Sequence, residues 1–134
     1  SLRATDYKTG KVRAKQGATV IGGGSVLQPV LYALALEKLF PDARVELGRL
    51  YYCTSAGGFE EVSIPLDDEA REAAAELARV VGGALAEGFF PAAPAEGACA
   101  CCDYRPVCGP YEEIRAAKKS RDRLVPLARL RARA

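Results

Sequence analysis

The chain has 134 residues, of which 49% are hydrophobic and 27% charged, enough for one compact domain with a real core. No apolar run approaches the roughly 20 residues needed to cross a bilayer, and no signal-peptide core opens the sequence. A membrane protein, a secreted disulfide scaffold and a disordered chain therefore fit poorly, and a cytoplasmic location is expected. The net charge of +2 divides unevenly: residues 1–114 carry 11 basic and 16 acidic side chains, residues 115–134 eight basic and one acidic. A basic tail on an acidic body suits phosphate contact, though a solvated helix face has the same composition. With no histidine, acid–base chemistry near neutral pH falls to carboxylate, lysine, thiol or metal-bound water.

In chain order, Leu2 to Tyr7 reads as a short strand ended by Thr9-Gly10. Residues 11–24, basic and then glycine-rich at Gly22-Gly23-Gly24, read as a flexible loop that lacks the Gly-Lys-Ser/Thr ending of a phosphate loop. Ser25 and Gln28 have the spacing of a capping box. Pro29 falls in a first turn, and Val30, Leu31, Leu34, Ala35, Leu39 and Phe40 recur at helical spacing, which predicts a helix over 26–40. Residues 43–54 and 59–66 read as the strands of a hairpin around Ser55-Ala56-Gly57-Gly58. Asp67 or Asp68 then caps an alanine-rich helix from Glu69 to about Glu87. A Pro/Gly/Ala linker (88–98), a cysteine cluster and a final basic helix opened by Pro110 and interrupted by Pro126 complete the chain. The order β-α-β-β-α predicts an α/β fold on a small mixed sheet flanked by helices.

Three groups of residues carry chemistry. Asp6 and Lys8 are two apart on a strand and share a face. A carboxylate beside an ammonium can bring a hard cation and a developing negative charge to one point; an exposed ion pair at a strand end is the bland alternative. Gln28 and Tyr32, four apart, share a helical face; they suit phosphate bonding and base stacking, or are a cap glutamine and a half-buried tyrosine. Cys99, Cys102 and Cys108, with Cys101 between them, lie within ten residues. Such crowding outside a secreted chain reads as zinc or iron–sulfur ligation. Adjacent Cys101 and Cys102 rarely reach one centre, and Cys53 reads as a small core residue.

The ordered set of a DYKTG strand, a QxxxY helix, a hairpin and the late segment CACCDYRPVCG resembles the RecB-type branch of the PD-(D/E)XK nuclease superfamily. The iron–sulfur nucleases are the nearest in pattern: AddB-type subunits of helicase–nuclease complexes and CRISPR-associated exonucleases. The resemblance runs from residue 3 to about 111 and implies the restriction-endonuclease-like fold. The core would occupy residues 1–98, the cysteine segment 99–110 and a basic helix or tail 111–134. It implies Asp6 and the Tyr7 carbonyl as ligands of Mg²⁺ (or Mn²⁺), Lys8 as the catalytic lysine, and Gln28 and Tyr32 as DNA-holding residues beside the active site. Cys99, Cys102 and Cys108 would be three ligands of a [4Fe–4S] cluster.

The pattern places a further metal-binding Asp and a fourth cysteine upstream of DYKTG, where this chain, without methionine, has only five residues before Asp6. The expectation is thus the C-terminal part of a DNA exonuclease or endonuclease of repair or recombination. Alone, it should bind Mg²⁺ weakly and hydrolyse DNA negligibly. DNA is the expected partner, with a helicase subunit and self-association through an open sheet edge as further expectations. A non-catalytic DNA-binding or scaffolding module, with an iron–sulfur or zinc site, is the alternative.

Overall fold

The computed structural model describes residues 1–14 and 20–133. Three strands, β1 (Leu2–Lys8), β2 (Val45–Tyr52) and β3 (Glu61–Pro65), form a mixed sheet in that order. β1 and β2 are parallel, joined through the helix α1 (Gln28–Leu39), and β3 returns antiparallel to β2. A parallel pair needs a long crossover, which the helix provides; the α/β expectation holds. On β1 the residues Leu2, Ala4, Asp6 and Lys8 alternate with Arg3, Thr5 and Tyr7. Leu2 and Ala4 pack into a core with Val30 and Ala33 of α1, Val45 and Ile64, so that face looks toward α1.

The helix can lie close to the sheet because of Gly48. A Cβ there would stand 1.9 Å from the Pro29 carbonyl oxygen, so the first turn of α1 rests directly on the β2 backbone. Glycine in a strand interior commonly marks such an approach.

Several boundaries differ from the sequence reading. α1 starts at Gln28 with Leu27 at its cap, and the capping box does not form: the Ser25 hydroxyl donates to the Gly22 carbonyl instead. The three glycines make an ordered 3₁₀ turn (Gly22–Gly24) with left-handed φ values, rather than a flexible lead-in. The link between β2 and β3 is longer than four residues and holds one 3₁₀ turn, Ser55–Gly57. Asp67 does cap α2 (Asp68–Ala86), accepting from the Ala70 amide at 2.9 Å, and the helix runs through Gly82-Gly83. Beyond the linker, a 3₁₀ turn (Ala98–Cys101) leads to three short helices, α3 (Arg105–Cys108), α4 (Glu112–Ala117) and α5 (Val125–Arg131). Pro110 opens no helix because Tyr111 is left-handed, and Pro126 sits harmlessly in the first turn of α5 instead of interrupting a longer one.

Glu37 of α1 and Arg71 of α2 form a two-pronged pair (2.7 and 2.6 Å) that ties the two helices together. The Arg71 hydrogen bonds hold the Glu37 carboxyl below its ordinary value of 4.5, against a smaller upward push from burial. A carboxylate depressed on folding adds stability that is present above its unfolded pKa and is lost as pH falls through the folded one. Glu37→Gln should therefore lower stability at neutral pH and flatten the acid arm of a denaturant-midpoint curve below about pH 4.5. An unchanged acid arm would show that the pair contributes nothing there.

Candidate active site

Asp6 and Lys8 project from the C-terminal end of β1 on the face toward α1, where ligands gather in open α/β sheets. Their in-register neighbours on β2 are Leu50 and Tyr52, both buried. Val26 and the residues after β1 (Val12, Ala14) close an apolar wall over them, with the Tyr52 hydroxyl accepting from the Arg13 amide at 3.4 Å. The strand end is fastened from the hairpin loop: the Cys53 amide donates to the Lys8 carbonyl (3.0 Å), and the Thr54 hydroxyl donates to the Thr9 carbonyl (2.9 Å). Cys53 thus lies just past β2 and braces the site, instead of filling a strand core. Neither it nor Thr54 was legible as a supporting residue, since only the parallel pairing brings residues 8 and 53 together.

Asp6 Oδ2 stands 2.8 Å from Lys8 Nζ, with the side chains 19% and 33% exposed. The Lys8 ammonium is a donor at this distance, and among the described residues no other donor reaches the buried oxygen. A carboxylate oxygen has room for a second partner. With that capacity left, the oxygen suits a hard cation such as Mg²⁺. The fit extends to one corner of such a site. Among the described residues, no three His, Cys, Asp or Glu side chains form a group able to hold a metal ion.

Gln28 is the first residue of α1 and half-buried; Tyr32, one turn on, is 49% exposed. Pro29 lies over Gly48, the register partner of Ala4, so α1 begins on the sheet face that Asp6 and Lys8 share, with Gln28 one residue before that contact. The Tyr7 side chain is on the opposite face, 66% exposed, with its ring edge-on to Tyr51 at 5.9 Å.

The cysteines are arranged differently. Cys99 is buried in its 3₁₀ turn, Cys101 and Cys102 are exposed and Cys108 is half-buried. All are free thiols, and among the described residues no three His, Cys, Asp or Glu side chains are grouped to hold a metal ion. Burial pushes the Cys99 thiol up, helped by the charges of Glu113 and Glu112 and by Cys102 and Cys108. The basic tail is also less free than its composition suggests. Arg123 pairs with Glu87 and covers the Phe89 ring at 3.9 Å, and Arg133 pairs with Glu76.

Residues 1–109 match the PD-(D/E)XK nuclease superfamily. The chain belongs to that superfamily. The chain is also 37% identical over 101 residues to a protein of Myxococcus xanthus (strain DK1622) described as a CRISPR-associated exonuclease Cas4/endonuclease Cas1 fusion. That match covers 75% of this chain and 17% of the relative, so the chain spans about a sixth of the protein it resembles. No solved structure matches. Superfamily membership agrees with the mixed sheet, its parallel crossover and the charged pair at the end of β1. Among the described residues, no helix is long and apolar enough to cross a membrane.

Proposed function

We propose that this PD-(D/E)XK domain serves Mg²⁺-dependent hydrolysis of DNA phosphodiesters, with Asp6 and Lys8 at the reacting phosphate. One observation carries the reading: a buried Asp6 oxygen with the Lys8 ammonium 2.8 Å away and, among the described residues, no other donor. Asp6, with the Tyr7 carbonyl, would hold the cation, which supplies Lewis-acid charge to a phosphate oxygen when bound. Lys8 stabilises the negative charge that grows on the phosphate as water attacks, in an apolar surrounding where that charge is felt strongly. Gln28 offers an amide to a phosphate oxygen, and the exposed Tyr32 ring offers a surface for a sugar or base. One carboxylate holds Mg²⁺ weakly, so the chain by itself should bind the ion only at millimolar concentrations.

The test is cleavage of linear DNA by the full-length protein. Asp6→Asn should lower the rate by roughly 10²–10³-fold, the usual cost of one preorganised electrostatic group. Tyr32→Ala should raise KM and leave kcat nearly intact, as expected for a group that binds substrate and transition state alike. An Asp6→Asn protein that folds normally and cuts at the wild-type rate would overturn the assignment.

A further inference from the structure

The C-terminal helix α5 reaches back across the molecule. Leu130 is 3% exposed and packs with Ile21, before the glycine turn, and with Ala73 and Leu77 of α2. Next to it the Gly23 amide donates to the Arg133 carbonyl at 2.8 Å, and a Cβ on Gly23 would stand 2.6 Å from the Arg131 carbonyl oxygen. Gly23 is left-handed (φ 61°), so the turn needs glycine twice over, for its backbone and for the approach of α5. Arg133 is anchored on α2 through Glu76, with Glu72 at 3.7 Å, and Arg131 donates to the Ala93 carbonyl of the linker. The glycine turn leads through Ser25, Val26 and Leu27 directly into Gln28. Val26 in turn covers the Leu50–Tyr52 wall beside Asp6 and Lys8.

We infer that α5 and the residues just after it form a metal-independent latch whose Leu130 and Arg133 position the start of α1, and with it Gln28, on the sheet face of Asp6 and Lys8. The cysteine segment lies between α2 and α5 in the chain, so it is an excursion whose neck is closed by the α2–α5 contact. Ordering of the core therefore does not depend on the thiols. The latch explains why the glycine turn is ordered, and it accounts for Arg131 and Arg133 as structural groups instead of free phosphate contacts. The role of Gln28 rests on the proposed function, whereas the latch itself stands on packing.

Amide hydrogen exchange separates the two. Leu130→Ala and Arg133→Glu should each lower protection at Gly23, Gly24 and Val26 by roughly tenfold or more, with protection at Leu50 in β2 retained, the pattern of a local opening. Glu76→Arg added to Arg133→Glu should restore that protection by reversing the pair. Replacing Cys99, Cys102 and Cys108 together by serine should leave all these amides unchanged. Unaltered protection in Arg133→Glu, or loss of protection in the triple-serine protein, would overturn the latch. These readouts do not use DNA cleavage, so a failed nuclease reading would leave them standing. If cleavage is present, Arg133→Glu should lower kcat, and the reversed pair should recover it.

Discussion

Gly48→Ala unfolds the domain or leaves it barely stable. The added Cβ would stand 1.9 Å from the Pro29 carbonyl oxygen and 2.3 Å from its carbon, backbone atoms that no rotamer change can move. Either α1 lifts off the sheet, opening the core of Ala4, Val30, Ala33, Val45 and Ile64, or β2 bends and breaks its pairing with Ala4 and Ile64. Overpacking of this kind costs about 3 kcal/mol or more, a large share of the 5–15 kcal/mol that typically holds a domain. A fall in Tm of roughly 10 °C or more is expected for a chain of this size. Gly82→Ala is the control: its Cβ meets nothing within 4 Å, so it should be neutral or slightly stabilising. A Gly48→Ala protein as stable as wild type would mean that α1 does not touch the strand.

Lys8→Met separates two roles of one ammonium. The group sits on the same Asp6 oxygen that a cation would use, so it repels the ion it is proposed to work with. Removing it should strengthen Mn²⁺ binding by roughly five- to tenfold, the order of 1 kcal/mol left from repulsion at a few ångströms after solvent screening. The same change should lower DNA cleavage by roughly 10²-fold or more, through loss of charge stabilisation at the phosphate. Tighter binding with a lost rate is hard to reach by general damage. Weaker Mn²⁺ binding in a folded Lys8→Met protein would contradict this arrangement.

The parts of the molecule legible in its sequence are those governed by neighbours along the chain. Strand alternation placed Asp6 and Lys8 on one face because the period of two is local. The Asp67 cap followed from the same kind of short-range rule. The parallel register that sets Leu50 and Tyr52 beside the charged pair, and Cys53 against Lys8, depends on residues about 45 positions apart and leaves no periodic mark. The Ser25–Gln28 spacing misled because three left-handed glycines turn the chain before the helix begins. Cysteine spacing counts residues but not directions: Cys99 is buried while Cys101 and Cys102 are exposed. The tail, a basic helix by composition, also packs Leu130 on α2, a contact that exists only in the folded chain.

The proposed cation site at the end of β1 rests on the buried Asp6 oxygen that faces the Lys8 ammonium. It is tested most directly by titrating Mn²⁺ into the ¹⁵N-labelled chain and mapping paramagnetic broadening of the amides. The account predicts broadening centred on Asp6, Tyr7 and Lys8, extending to Leu50 and Tyr52, and abolished in a folded Asp6→Asn protein. Broadening centred on the acidic start of α2 or on Glu112 and Glu113, and unchanged by Asp6→Asn, would contradict it.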